Sequence, residues 1–101
     1  MNVETLRDLQ ARCKAAPGPD RELDWAIADE FATEPFDSPY PFTGSNDEAL
    51  AFVERVLPGR GWCCLHRALR SKAIYNSDLS RLPLETISAA LRLLIAKEER
   101  G

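Results

Sequence analysis

Residues 83–99 carry the pattern that most constrains the fold. Large aliphatic side chains recur there three or four positions apart, the spacing of one face of an α-helix; they are Leu84, Ile87, Leu91, Leu94 and Ile95. Pro83 suits the first turn of a helix, and Lys97 and Arg100 suit its C-terminal end. We predict a long helix over this range, packed along one apolar stripe.

Two amphipathic helices are predicted near the N-terminus. One apolar stripe runs over residues 3–16 and consists of Val3, Leu6, Leu9 and Cys13. Asn2 is placed to cap this helix, and the segment PGP, residues 17–19, ends it because proline cannot continue a helix. A second helix follows on the stripe Leu23, Ile27 and Phe31. The short connection between them predicts a helical hairpin.

A capping box marks the start of a third helix. In the segment SNDE, residues 45–48, the Ser45 hydroxyl is placed to accept from the Glu48 amide, and the Glu48 carboxylate to return the bond. The predicted stripe is Leu50, Val53 and Leu57, broadened by Ala49, Phe52 and Val56. Pro58 and Gly59 end this helix.

The segment GWCCLH, residues 61–66, is rich in residues that suit a half-buried strand. Residues 73–76 are its expected antiparallel partner, which predicts a β-hairpin over about 61–77. A helical turn within 65–73 is the alternative, because three residues lie at helical spacing: Leu65, Leu69 and Ala73. We prefer the strands, since the aromatic and β-branched residues of both segments favour them.

These elements predict one α+β domain over residues 1–101, a small α/β/α layered sandwich with helices packed on a short antiparallel hairpin or small sheet. A third strand or a dimer would complete the sheet, because two strands are marginal alone. The expected core is Leu6, Leu9, Leu23, Ile27, Leu50, Val53, Trp62, Ile74, Ile87, Leu91 and Leu94.

Charge and composition argue against several classes of protein. Thirteen basic and sixteen acidic residues give a formal net charge of −3, which argues against a dedicated nucleic-acid binder. The chain carries no apolar run long enough to span a bilayer and no signal-peptide pattern, so we expect a cytoplasmic protein and no membrane. An odd number of cysteines, two of them adjacent, argues against a disulfide framework.

Few residues are candidates for a metal site or for a cysteine nucleophile. Cys64 and His66 share one face of the predicted strand, and Cys13 is the only other thiol that helix packing would bring near. A structural zinc site needs four ligands, and a cysteine nucleophile needs an orienting group and an oxyanion hole. We therefore expect no catalytic residue, no metal and no cofactor. The acid pairs Asp20/Asp24 and Glu98/Glu99 are interpreted as solvated charge.

Several segments of the sequence resemble those of one protein family. They are GPDRELDWAIA, PFTGSNDEALAFVERVLPGRGW and the closing LPLETISAALRLLIA. Their order and content resemble the phage ABA-sandwich domain family, small bacteriophage and prophage proteins of unassigned function. The resemblance covers nearly the whole chain, and departs from the family at Cys63, Cys64 and Leu82. It implies a layered α/β/α domain and transfers no catalytic residue.

From the resemblance we expect a non-enzymatic phage or prophage accessory protein in the bacterial host cytoplasm, which binds a host or phage protein as a monomer or homodimer. Residues 32–44 form a predicted extended loop in which prolines alternate with aromatic residues. The expected contact residues are Phe36, Tyr40 and Phe42 of this loop, followed by Arg67 and Arg70 of the basic hairpin. The alternative is a binder of a small anion or nucleotide at the third helix's start, through Thr43, Gly44, Ser45 and Asn46.

Overall fold

A computed structural model describes residues 2–31, 41–71 and 79–100 of the chain. Five α-helices account for most of them: α1 (Val3–Ala15), α2 (Arg21–Phe31), α3 (Asn46–Val56), α4 (Gly61–Leu69) and α5 (Leu82–Arg100), the last preceded by a 3₁₀ turn at Leu79–Arg81. No strand occurs within these three ranges. The described part of the chain is all-helical, so the predicted α+β layered sandwich is wrong.

α5 is the central helix, and α1, α3 and α4 all pack against it. Its predicted stripe is confirmed at Leu84, Ile87, Leu91 and Leu94, which are buried, while Ile95 is half-buried. Burial extends around the helix to Thr86, Ser88, Ala89 and Ala90, so α5 contacts neighbours on several sides. The small side chains among these let the surrounding helices approach closely.

The ends of α1 are fixed by side chains. The Asn2 side chain accepts a hydrogen bond from the Glu4 amide at 2.8 Å, which confirms the predicted N-cap. At the other end the Arg81 guanidinium donates to the carbonyl oxygens of Ala16 and, at 3.0 Å, Cys13. Arg81 also pairs with Glu85 one turn further on. Carbonyls at the end of a helix need such donors, so Arg81 joins α1 to α5.

A polar network joins α2 to the turn that precedes α3. Asp20 caps α2 by accepting from the Leu23 amide at 3.1 Å. The Asp20 amide donates to the Thr43 hydroxyl, and the Thr43 amide donates to the Asp24 carboxylate, both at 2.8 Å. Thr43 and Asp24 are buried. Asp24 is therefore a structural acceptor, and the expectation of solvated charge fails there.

α3 is anchored at its start and along its buried face. The Ser45 hydroxyl accepts from the Glu48 amide at 3.3 Å, the hydroxyl half of the predicted capping box. Phe52 lies between two other rings, Phe31 at 5.0 Å and Phe42 at 5.7 Å between centroids. The buried face is consequently Ala49, Phe52 and Val53, and the predicted Leu50 is only half-buried.

The first strand of the predicted hairpin is a helix instead. An alternating strand would bury every second residue, but burial in α4 recurs at Gly61, Cys64 and Ala68, which is helical spacing. The alternative prediction, a helical turn within 65–73, agrees with the structure in part, since α4 covers residues 65–69 but begins before residue 65. Trp62, expected in the core, is 78% exposed. The expected second strand, including Ile74, lies outside the described residues.

One apolar cluster includes residues from all five helices. Of the expected core, the residues confirmed as buried are Leu6, Leu9, Leu23, Ile27, Val53, Ile87, Leu91 and Leu94. Within the described ranges, no helix is both long enough and apolar enough to cross a bilayer.

Candidate functional site

α4 presents three different faces, because successive residues of an α-helix are turned by about 100°. The small residues Gly61, Cys64 and Ala68 form the buried face toward α3 and α5. A second face is apolar and largely open to solvent: Trp62, Leu65 and Leu69. The third face is polar and exposed, with Cys63, His66, Arg67 and Arg70.

The start of α4 is held by a carboxylate from α3. Glu54 accepts from the Gly61 amide at 2.8 Å through Oε1 and from the Gly59 amide at 2.9 Å through Oε2. These two bonds hold the pKa of the Glu54 carboxyl below its ordinary value. Gly59 has φ +83°, as the third residue of a type II turn requires. A Cβ at Gly61 would collide with the Glu54 carboxylate.

The apolar face is defined by two strongly exposed side chains. Trp62 is 78% and Leu69 46% exposed, and Leu65 between them is half-buried. Positions 62, 65 and 69 lie on one helix face at the spacing by which an amphipathic helix engages a partner. We call these three residues the α4 apolar face. Apolar surface arranged in this way is typical of an interaction site.

The polar face of α4 forms one wall of a cleft. α1 and α5 supply the other walls, and the cavity volume is about 530 Å³. We call this cavity the three-helix cleft; its lining includes the cations Lys14, Arg67, Arg70 and Arg92, the carboxylate of Glu85, and the polar residues Gln10, His66, Ser71 and Ser88.

Positive charge dominates the three-helix cleft. Among the residues that the structure describes, Lys14, Arg67, Arg70 and Arg92 make no ion pair. Glu85, the one carboxylate among the lining residues that the structure describes, pairs with Arg81 at 3.3 Å. A cavity of this charge, in a chain whose formal net charge is −3, is suited to an anionic ligand.

The predicted contact residues fall in three different places. Arg67 and Arg70 lie exposed on α4 and line the cleft. Phe42 is only 3% exposed and packs against Phe52, so its ring belongs to the core. Phe36 and Tyr40 lie outside the described residues.

The alternative anion site at the start of α3 has its polar groups engaged. The Thr43 amide donates to Asp24, and the Gly44 amide donates to the Pro41 carbonyl at 3.2 Å. The Ser45 hydroxyl accepts from Glu48. Asn46 is the first residue of α3 and is followed by two acidic residues in the first turn. These groups therefore anchor the turn to α2 and α3, and the nearby carboxylates disfavour an anion.

The predicted strand placed Cys64 and His66 on one face, where they could act together in cysteine or metal chemistry. In α4 they lie on different faces. Cys64 is buried, whereas His66 is exposed about 200° around α4. Burial raises the pKa of the Cys64 thiol, and raises that of Cys13 to about 12. Among the described residues, no group of three or more histidine, cysteine, aspartate or glutamate side chains is placed to hold a metal ion.

The sequence interpretation missed two cations of the cleft. Arg67 and Arg70 of the predicted hairpin were identified from the sequence, but Lys14 and Arg92 lie far from them along the chain. Each sits on a helix whose cleft-facing residues recur at helical spacing: Gln10 and Lys14 in α1, and Glu85, Ser88, Ala89 and Arg92 in α5. Only the packing of the three helices brings these faces together.

No protein-family model, curated protein or solved structure matches the chain. The geometry of α4 and of the three-helix cleft is accordingly the basis for the functional proposals.

Proposed function

We propose that the protein is a non-enzymatic protein-binding module and that the α4 apolar face is its contact surface. The observation that carries this proposal is Trp62, a large apolar side chain that is 78% exposed. Tryptophan is among the residues that contribute most to binding energy at interfaces. Leu65 and Leu69 extend the same surface along the helix.

The chemistry around this face indicates what kind of partner fits. His66 and Arg70 border it on one side, and α4 contains no acidic residue. A partner helix with an apolar stripe and acidic flanks would complement both features. The proposed partner is therefore an acidic amphipathic helix of a different protein.

A matched set of variants tests this surface. Trp62→Ser and Leu69→Ser remove exposed side chains of the α4 apolar face, whereas Leu79→Ser removes a leucine that is 66% exposed outside α4. We expect Trp62→Ser and Leu79→Ser to melt near the wild-type temperature, because these side chains are largely exposed, and Leu69→Ser to melt somewhat lower, because Leu69 is only 46% exposed. A photo-crosslinker at position 65 would identify the bound protein and its contacting segment.

The expected result is a cross-linked partner whose contacting segment is acidic and amphipathic. Its affinity should fall about 30-fold for Trp62→Ser, since an interface tryptophan can contribute about 2 kcal/mol, and should not change for Leu79→Ser. Equal binding by wild type and Trp62→Ser would contradict the proposal. So would a homodimer that Trp62→Ser converts to monomer, because a second copy would then cover the face.

The expectation of a phage or prophage origin does not depend on the geometry of α4. It rests on the sequence resemblance alone, and the layered fold which that family implies is not the fold of the described residues. Partner binding through α4 is proposed on geometry and does not require that origin. The partner is accordingly given by its chemistry and not as a host or phage protein.

A further inference from the structure

We propose that the three-helix cleft binds a small phosphorylated molecule, with the phosphoryl group against its arginine and lysine side chains and hydroxyl or amino groups of the ligand toward Glu85. This site differs from the α4 apolar face, because it uses the polar side of α4 and adds residues of α1 and α5. His66 and Arg70 lie at the border of both surfaces, whereas Trp62 belongs to the apolar face alone.

The size of the cleft fits such a ligand. Pockets for small molecules usually occupy about 300–1,000 Å³, and this cavity measures about 530 Å³. A bare phosphate ion would leave most of that volume to water. A sugar phosphate or a nucleoside monophosphate would fill more of it and reach the polar groups beyond the cations.

The cations are of the type and arrangement that phosphate requires. Three of the four are arginines, whose planar guanidinium groups can bind two phosphate oxygens at once. Arg67 comes from α4, Arg70 from the C-cap directly after it, Arg92 from α5, and Lys14 from the last turn of α1. Since none of them is in an ion pair with another described residue, their charge is available to a ligand.

The remaining polar groups favour a phosphorylated molecule with donors of its own. The Glu85 carboxylate is oriented by Arg81 through a 3.3 Å bond, and it can accept from a hydroxyl or amino group. Gln10 also lines the cleft and donates to the Ser88 carbonyl at 3.4 Å. A fully ionised inorganic anion such as sulfate has no donor for the carboxylate, and inorganic phosphate is too small to fill the cleft while donating to it.

The charge of the whole chain disfavours a nucleic acid in this cleft. An extended polyanion must follow positive surface over many phosphates, and the formal net charge is −3. Further along α5 the chain exposes Glu98 and Glu99. A small ligand contained within the cleft avoids this repulsion.

The test is isothermal titration of the full chain with three probes at one ionic strength: inorganic phosphate, adenosine monophosphate and a short single-stranded oligonucleotide. Arg67→Gln/Arg92→Gln removes two of the four cleft cations, one from α4 and one from α5. Arg21→Gln/Arg55→Gln removes the same charge at exposed positions outside the cleft. Lys14→Gln/Arg70→Gln repeats the test with the other two cleft cations, in case the first pair alters folding.

We expect saturable 1:1 binding of adenosine monophosphate that is tighter than binding of inorganic phosphate. Each cleft pair should weaken it about tenfold or more, because charge-assisted hydrogen bonds are lost, and Arg21→Gln/Arg55→Gln should leave it unchanged. Trp62→Ser should also leave it unchanged, which separates this site from the docking surface. Equal weakening by cleft and control pairs, absence of saturable binding, or tighter binding of the oligonucleotide would each overturn the proposal.

Discussion

Phe42 shows how the role of a single aromatic side chain depends on its neighbours. Its ring is 3% exposed and lies 5.7 Å from that of Phe52. Phe42→Ala should therefore lower the free energy of unfolding by about 3–5 kcal/mol, because the buried ring would leave a cavity. Urea denaturation followed by circular dichroism would measure the change. Leu79→Ala is the control and should cost less than about 0.5 kcal/mol, because Leu79 is 66% exposed. A similar cost for both variants would contradict the burial of Phe42.

Glu54 is the residue whose ionisation should affect the start of α4. Its pKa is lowered by hydrogen bonds from Gly59 and Gly61, so its contribution to stability is present above the ordinary value of 4.5 and is lost as pH falls through the lowered pKa. Glu54→Gln can accept only one of the two bonds with its single carbonyl oxygen. The variant should melt below wild type at pH 7, and the difference should shrink below pH 4.5.

Thermal melts of both proteins at several pH values would measure this difference. Asp8→Asn is the matched control, because Asp8 is an exposed carboxylate within α1. It should change the melting temperature little at any pH. A Glu54→Gln deficit that stayed constant down to pH 3 would show that the side chain acts through packing and not through its charge.

At the scale of elements, the junction of α1 with α5 depends on Arg81. Its guanidinium serves several carbonyls at the end of α1 and pairs with Glu85. Arg81→Met keeps the apolar stem but leaves those carbonyls without their donor, so we expect a loss of about 2 kcal/mol in unfolding free energy. Arg81→Lys should recover only part of it, because lysine lacks the planar fork. Chemical denaturation measures both, and equal stability of Arg81→Met and wild type would show that water replaces the guanidinium.

For the whole molecule, the reactivity of the three thiols reports whether the helices pack as described. Cys63 is exposed, whereas Cys13 and Cys64 are buried, and burial raises the pKa of both buried thiols. A thiol reagent should modify one cysteine quickly in the native protein and all three in urea. Cys63→Ser should abolish the fast reaction. Rapid modification of two or more thiols in the native protein would contradict the packing of α1 and α4 against α5.

Local patterns were sufficient to predict four of the five helices in the described ranges. The caps at Asn2 and Ser45 and the prolines after α1 and α3 act within a few residues of themselves, so their effect is visible in the sequence. The stripe of α5 was predicted for the same reason: helical periodicity is a property of the chain alone. The resemblance to a layered domain did not predict the fold of these residues.

The failure at α4 has a physical reason. Trp62 favours a strand by propensity, but propensity is weak against packing. The small residues Gly61, Cys64 and Ala68 allow α4 to lie close to α3 and α5, and the Glu54 carboxylate holds its first turn. The buried face consists of small residues and is covered by two other helices. A search of the sequence for large apolar residues at helical spacing therefore could not detect it.

The sequence by itself determined where most helices begin and end and which of their faces are apolar, because caps, prolines and periodicity act locally. Only the tertiary structure decided which polar residues meet. Lys14, Arg67 and Arg92 belong to three helices separated along the chain, and helix packing brings them to one cleft. It also decided that Phe42 is buried while Trp62 is exposed, since burial depends on which neighbours cover a side chain and not on its hydrophobicity alone.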